Sequence, residues 1–215
     1  NRPQQVKMFE RRAFLVASSA LILASACDAA AQEETDARPN LYQCEGCEPT
    51  FRHPAATLNS DVDIARGERG EPLILEGVVR HADGRTPASG VIIYLHQTNA
   101  DGLYANGSDE DEWSRRHGRL RGWAVTDSQG RYRFRTIKPA PYPDMSMPAH
   151  IHLMIGEPGR RPYYIDDVVF DGEFKVDATY RGSQELRGGS GIVRLSRDSA
   201  GRWLAIRDIV LERHP

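Results

Sequence analysis

The chain has 215 residues, of which 40% are hydrophobic and 27% are charged, as in one globular domain with an appendage. This composition excludes a collagen, a coiled coil and a fully disordered chain. The 28 Lys and Arg residues and the 30 Asp and Glu residues leave a formal net charge of -2, so no basic surface for a nucleic acid is expected.

Residues 1–31 are predicted to be an export signal. Arg11 and Arg12 precede an apolar run that continues to Ala26, and a charged segment followed by a short apolar run is typical of signal peptides. The run is shorter than the ~20 residues that cross a bilayer, so cleavage is expected. The twin arginine followed by Phe-Leu resembles a Tat signal, which predicts a periplasmic, membrane-anchored or secreted protein exported in the folded state.

Two cleavage sites stay open. Residues 24–27 resemble a lipoprotein processing site, which would place a lipid anchor on Cys27, whereas residues 29–31 offer an ordinary A-x-A site. Either cut leaves Cys44 and Cys47 as a C-x-x-C pair in an oxidising compartment, where a local disulfide is the simplest prediction. A thioredoxin-like or zinc site would need a βαβ pattern or a second cysteine pair.

Residues 32–70 are rich in Glu, Asp, Pro and Asn without clear periodicity, and they are predicted to form an extended arm. Such an arm would provide a contact in a homo-oligomer, which is a hypothesis at this point. Residues 71–215 are predicted to form the folded domain, because β-rich segments alternate there with Gly, Pro and Asp turns.

Short strands are predicted throughout this domain. They lie at residues 73–79, 91–95, 123–126, 132–137, 151–155, 168–170, 192–195 and 203–206. No helical stripe of comparable length appears, so the sequence predicts an all-β, antiparallel β-sandwich. Residues 100–120 form a long polar loop, and long loops on a rigid sandwich often carry function.

His150 and His152 are separated by one residue in a predicted strand. Strand periodicity points both imidazoles to one face, where they can share a metal ion. Taken alone, the pair is more simply explained by two surface or hydrogen-bonded histidines. The motifs around it change that interpretation.

Several motifs occur in a fixed order along the domain. They are G-x-Y at residues 102–104, R-G at 121–122, T-D-x-x-G-x-Y-x-F-x-T-I-x-P at 126–139, P-Y-P at 141–143 and P-A-H-I-H at 148–152. Over about residues 72–172 this set resembles the intradiol ring-cleavage dioxygenases, which include protocatechuate 3,4-dioxygenase and catechol 1,2-dioxygenase. The resemblance implies a transthyretin-like β-sandwich core.

The resemblance also implies a mononuclear non-haem Fe(III) held by Tyr104, Tyr142, His150 and His152. A bound cation favours the phenolate of a tyrosine, whose pKa in water is ~10, and hard anionic oxygens stabilise ferric iron. The implied reaction opens a catechol-type ring between its two hydroxylated carbons with O2 and gives a muconate-type diacid. Tyr142 is then both ligand and base. Without the resemblance, the two tyrosines are explained as a loop aromatic and a packed turn residue.

The sequence departs from the family pattern at two positions. Met147 stands where the family enzymes have an arginine, whose charge is expected to stabilise an anionic ring. The candidate replacements are Arg119, Arg121, Arg160 and Arg161. Arg121 is retained as a candidate substrate-binding residue. Asp167 stands where the family commonly has Gln, and as a candidate substrate-binding residue it would disfavour substrates with a carboxylate of their own, such as protocatechuate.

Two other functions stay open. The protein could be a non-catalytic transthyretin-like binding module in which the tyrosines and histidines are structural, and the missing arginine is compatible with that. The site could also hold zinc on its histidines alone. Colour separates these readings, because tyrosinate on ferric iron absorbs visible light by charge transfer.

Overall fold

The computed structural model of the chain describes residues 37–106 and 111–215. The predicted export signal, its cleavage sites and the lipid anchor on Cys27 lie outside the described residues. Within those two ranges, none of the helices combines the length and the apolar character that a bilayer span requires.

Two sheets contain the strands of the described residues. The first sheet has the order β1 (Asp61–Asp63), β5 (Arg131–Ile137), β2 (Pro72–Arg80), β10 (Trp203–Ile206) and β9 (Leu195–Arg197), with β11 (Ile209–Val210) also paired to β2. The second sheet has the order β4 (Arg121–Val125), β3 (Ile92–Gln97), β6 (His150–Gly156), β7 (Tyr163–Phe170) and β8 (Ile192–Val193). Buried side chains from both sheets form one core cluster, so the predicted all-β sandwich is confirmed.

The sheets are mixed, which corrects the prediction of a purely antiparallel sandwich. The pairs β1–β5, β10–β2, β11–β2 and β7–β8 are parallel, and the central pairs are antiparallel. Parallel neighbours need long connections, and each of these pairs joins segments that are distant in the sequence. Short apolar segments predict strands but carry no information on such long-range pairing.

The predicted strands are all present, with changes at their bounds. Strand β7 starts five residues before the predicted segment at 168–170, and the segment at 192–195 is divided between β8 and β9. The polar loop at 100–120 contains a helix, α1 (Glu112–His117), which Asp111 caps through its side chain. This helix is shorter than two turns and therefore shows no periodic stripe in the sequence. A second short helix, α2 (Ala178–Gly182), follows β7.

Residues 37–70 pack onto the sandwich. Leu41 and Ile64 are fully buried in its core, and β1 lies beside β5. Cys44 and Cys47 form the predicted local disulfide, next to two 3-10 turns at Glu48–Phe51 and Ala55–Thr57. The domain boundary at residue 71 and a contact between protomers stay predictions.

Strand β6 determines where the two histidines lie. Ile151, Leu153 and Ile155 point into the core between the sheets and are fully buried. Because successive side chains of a strand alternate between its faces, His150 and His152 lie on the opposite face of the second sheet, here called the outer face. The segment at residues 41–54 and helix α1 cover part of this face, for example through a 2.8 Å hydrogen bond from Trp123 Nε1 to the carbonyl oxygen of Pro49.

Candidate metal centre

Two imidazoles on β6 supply half of the site. The Nδ1 atom of His150 lies 2.8 Å from the carbonyl oxygen of Pro148, and the Nδ1 atom of His152 lies 2.8 Å from Oδ1 of Asp167. Carbonyl and carboxylate oxygens accept hydrogen bonds, so both Nδ1 atoms carry the proton and donate. The two Nε2 atoms therefore keep their lone pairs, and they face each other at 3.1 Å.

Two phenols complete a ring of four donor atoms. Tyr104 follows β3, and Tyr142 lies between β5 and β6. Their Oη atoms are 3.1 Å apart, with Tyr142 Oη 3.1 Å from His150 Nε2 and Tyr104 Oη 3.0 Å from His152 Nε2. The four residues predicted as metal ligands are thus brought together from three segments of the chain.

A glycine lets the two tyrosine loops approach each other. Gly102 has φ +76°, and a Cβ atom there would lie 2.0 Å from the carbonyl oxygen of Pro141. That is far inside van der Waals contact, so any side chain at this position would push apart the loops that carry Tyr104 and Tyr142. The G-x-Y motif therefore has a steric basis as well as a chemical one.

The donor atoms fit a metal ion better than a hydrogen-bonded cluster. Two phenol protons can bridge only two of the four edges of the ring, and the contact between His150 Nε2 and His152 Nε2 has no proton at all. The lone pairs of these two Nε2 atoms therefore repel each other, and a cation at the centre of the ring would remove this repulsion. With edges of 3.0–3.1 Å, an ion would lie about 2 Å from each donor, as in protein metal sites. Two oxygens and two imidazoles are also a donor set that iron accepts.

Burial shifts the pKa of one histidine and of one tyrosine in the ring of donors. It lowers the pKa of His150, with a smaller contribution from His152, and this keeps the imidazole in the neutral form that binds metals. Burial, followed by the hydrogen bond that Tyr104 makes with Tyr142, raises the pKa of Tyr104. A phenol in such surroundings ionises only when a cation is near.

Asp167 orients a histidine from outside the ring of donors. The register of β6 against β7 shifts between Ile151 and Leu153, and such bulges re-aim side chains beside functional sites. The carboxylate of Asp167 lies within 4.8 Å of both imidazoles, but it contacts His152 at Nδ1, on the ring edge away from the centre. A carboxylate there fixes the tautomer and the orientation of the imidazole.

Arg121 lies on β4, which β3 separates from the histidine ligands on β6. Arg121 is opposite His96 of β3 in the strand register, and His96 is opposite His152 of β6. Its guanidinium donates to the carbonyl oxygen of Gly118 and lies 3.3 Å from Asp111. Its role in substrate binding stays a prediction. Arg119 pairs with Glu68, and Arg161 stacks on Tyr42.

A cavity of about 610 Å³, here called the His152 cavity, opens beside the ring of donors. Met147, Asp167, Tyr164 and Tyr180 are among the residues that line it. A smaller cavity of about 450 Å³ lies against strands of the first sheet and is lined by none of the four donor residues. The His152 cavity thus reaches the ring of donors at His152 and is large enough to hold a substrate.

Two buried histidines beside the site were not predicted. The rings of His96 and His117 stack at 3.9 Å with 7° between their planes, and His96 lies 4.4 Å from the ring of His152. The Nδ1 atom of His96 is buried, and no described residue provides it with a hydrogen-bond partner. Tyr94 Oη lies 2.8 Å from Nδ1 of His117. In the sequence the only signal is that Tyr94 and His96 alternate with apolar residues in β3.

A family model described as "Dioxygenase" matches residues 47–180. The 6-chlorohydroxyquinol 1,2-dioxygenase of Cupriavidus pinatubonensis is 31% identical over 183 residues, which cover 66% of this chain and 64% of that protein. The chain belongs to the intradiol ring-cleavage dioxygenase family. Another member, chlorocatechol 1,2-dioxygenase of Pseudomonas putida, is 35% identical over 138 residues, covering 55% of the chain and 51% of that relative. The chain thus spans between half and two thirds of the length of these two members.

Solved structures of the family share the fold. The dioxygenase domain of a dioxygenase carbohydrate-binding protein fusion from Streptomyces sp. SirexAA-E superposes with a TM-score of 0.53 at 24% identity, covering 72% of this chain and 90% of that one. Catechol 1,2-dioxygenase from Acinetobacter sp. ADP1 superposes with a TM-score of 0.53 at 20% identity, and the match covers 90% of this chain and 68% of that one. At these identities the likeness establishes the fold alone.

Proposed function

We propose that the protein is an intradiol dioxygenase that opens a catechol-type ring between its two hydroxylated carbons with O2 and gives a muconate-type diacid. The observation that carries this is the ring of four donor atoms from Tyr104, Tyr142, His150 and His152, with edges of 3.0–3.1 Å, beside a cavity large enough for an aromatic ring. The resident cofactor is proposed to be one mononuclear non-haem Fe(III).

Ferric iron, when bound, would supply a Lewis acid that lowers the pKa of both catechol hydroxyls. The chain provides the surroundings for that chemistry. Two phenolates and two neutral imidazoles bring two negative charges, which balance most of the charge of a trivalent cation. The hydrogen bonds from His150 to Pro148 and from His152 to Asp167 hold the imidazoles in place and keep their Nε2 atoms preorganised.

Tyr142 is proposed as the base that takes a proton from the substrate. Its Oη lies 3.1 Å from both Tyr104 Oη and His150 Nε2 and forms one corner of the ring of donors. The chain turns directly after it, where the backbone N–H of Met145 donates to its carbonyl oxygen, and the following residues are exposed. A phenol on such a turn can move away from the cluster without displacing β6.

Colour and oxygen uptake test this proposal together. Iron-loaded protein should absorb visible light through tyrosinate-to-iron charge transfer and should consume O2 with catechols, giving products of the diacid mass. Tyr142→Phe should shift or bleach the band and lower turnover, whereas Tyr42→Phe, which removes a phenol that contacts His214, should do neither. A colourless iron-replete protein without oxygen uptake would favour the binding module, and a colourless zinc protein would favour the zinc alternative.

Export by the Tat-like signal also enters as a proposal. The Cys44–Cys47 disulfide supports it, because such bonds persist in oxidising compartments. Replacing Arg11 and Arg12 by lysines should retain the protein in the cytoplasm, as measured by cell fractionation. Incorporation of labelled fatty acid that depends on Cys27 would separate a lipid anchor from free secretion.

A further inference from the structure

The wall of the His152 cavity carries several carboxylates and, in the part of the chain that the structure describes, neither Arg nor Lys. Its lining includes Glu45, Asp166, Asp167 and Glu185, and no Arg or Lys of the described residues is part of it. Since this cavity adjoins the ring of donors, a ring substituent of a bound catechol would point at this wall. The charge of that substituent therefore affects binding.

Two arginines outside the lining pair with acids of this wall. Arg187 is fully buried, pairs with Glu185 at 2.8 Å and stacks on the ring of Tyr164 at 4.0 Å. Arg116 pairs with the exposed carboxylate of Glu45 at 2.8 Å. Carboxylates and aromatic rings therefore line the cavity, and neither guanidinium does.

Two further acids form no direct ion pair with an Arg or Lys of the described residues, although the charge of Arg207 acts on Asp166 from a distance. Asp166 is buried and accepts backbone N–H groups of Leu186 and Arg187 at 2.8 and 3.2 Å. Asp167 accepts the Nδ1 proton of His152. No Arg or Lys in the described part of the chain forms an ion pair with either carboxylate, so the wall keeps a net negative charge.

An unpaired hydrogen-bond acceptor in the lining also favours a cationic substituent. Gln184 lines the cavity, and its Oε1 atom is buried without a hydrogen-bond partner among the described residues. A buried acceptor of this kind is stabilised by a donor. An ammonium group offers three donors and no acceptor, whereas a carboxylate offers acceptors alone. Tyr180 adds an aromatic ring to the wall, and aromatic faces attract cations.

We propose that the preferred substrates are catechols with a protonated amine on a short side chain, and that catechols with a carboxylate are rejected. This rests on the proposed ring cleavage and names the substrate class of the same site. The wall residues that determine the preference are the four acids of the lining and Gln184, together with Met147, which leaves the wall without a positive charge.

Three matched compounds test the preference. In iron-loaded protein, kcat/KM for 4-(2-aminoethyl)catechol should exceed that for 4-propylcatechol by about tenfold, and 3,4-dihydroxyphenylacetate should fall about tenfold below it. The advantage of the amine should shrink as salt rises. Equal values, or a preference for the carboxylate, would overturn the inference while leaving ring cleavage intact.

Binding tests the same point without turnover. Tyramine and 4-hydroxyphenylacetate lack the second hydroxyl, so calorimetry measures their Kd whether or not the protein cleaves catechols. Tyramine should bind at least about tenfold more tightly. Absence of this difference contradicts the charge preference, whereas absence of colour and oxygen uptake contradicts the proposed function.

Two pairs of variants locate the effect. Met147→Arg should raise the relative use of 3,4-dihydroxyphenylacetate by about tenfold, whereas Met145→Arg adds the same charge to the same exposed loop away from the cavity lining and should leave the order unchanged. Glu45→Gln should reduce the preference for the amine, and Glu48→Gln, on the same segment but not in the lining, should not. If Met145→Arg or Glu48→Gln changes the order of substrate preference as much as its matched variant does, the assignment is wrong.

Discussion

Two pairs of histidines lie at the outer face of the second sheet. His150 and His152 are both on β6, whereas His96 on β3 pairs with His117 of helix α1. The rings of His96 and His152 lie only 4.4 Å apart, and each pair is close enough for its imidazoles to touch. In the first pair the two Nε2 atoms face each other at 3.1 Å within a ring of donors. In the second pair the rings lie flat on each other at 3.9 Å.

The hydrogen bonds of the Nδ1 atoms account for this difference. Pro148 and Asp167 each take one Nδ1 proton of the first pair, which turns two lone pairs toward a common centre. In the second pair, Nδ1 of His117 contacts Tyr94 and Nδ1 of His96 has no partner among the described residues. Nearness of imidazoles therefore does not make a metal site, and aimed lone pairs with anionic neighbours do.

Removing a ligand of the first pair should have the largest effect. His150→Ala leaves three donors, and iron affinity should fall by more than the ~100-fold that loss of an outer hydrogen-bond partner causes. Metal content and visible absorption measure this, with His96→Ala as the control that should retain iron. If the control loses as much iron as His150→Ala, the contrast between the pairs is wrong.

The second pair should make stability depend on pH. Burial, followed by Arg116 and then His152, lowers the pKa of His117 from 6.5 to about 4. Between pH 6.5 and about 4 the unfolded chain binds the proton and the folded one does not, so the free energy of unfolding falls as pH falls. The loss reaches at most about 3 kcal/mol and is complete below pH 4.

Urea unfolding of metal-free protein at several pH values measures this dependence. The variant His117→Phe keeps a flat ring in the stack and removes the titrating group, so its stability should vary less between pH 4 and 6.5 than that of the native chain. Identical pH profiles for the two proteins would show that the second pair contributes no such linkage.

Asp167→Asn should weaken the first pair without destroying it. An amide oxygen can still accept the proton of His152 Nδ1, but the negative charge beside this ligand is lost, so iron affinity should fall by ~10-fold to ~100-fold. Equilibrium dialysis against a chelator measures the change. Asp171→Asn removes an acid that pairs with Arg181 at the surface, and it should leave iron affinity unchanged.

The sequence predicts the first pair better than the second for physical reasons. His150 and His152 are two residues apart on one strand, which is a local pattern. Strand geometry then places both side chains on the same face. Tyr104 and Tyr142 came from the family resemblance, because no local rule joins two loops. The contact of Asp167 depends on a register shift between β6 and β7, and the stack of His96 on His117 depends on how β3 and α1 pack. Neither is encoded in a window of neighbouring residues.

The smallest effect is expected for His96→Phe, and it separates packing from ligation most sharply. Phenylalanine keeps an aromatic ring between His117 and His152 while removing both ring nitrogens, of which the buried Nδ1 has no partner in the described chain. Loss of an unpaired buried polar atom is neutral or stabilising, so the free energy of unfolding should change by less than about 1 kcal/mol and iron should stay bound. His96→Ala leaves a cavity and should cost about 2 kcal/mol or more in urea unfolding. A loss of iron in His96→Phe, with its ring in place, would mean that the nitrogen of His96 serves the metal after all, because packing alone would be unchanged.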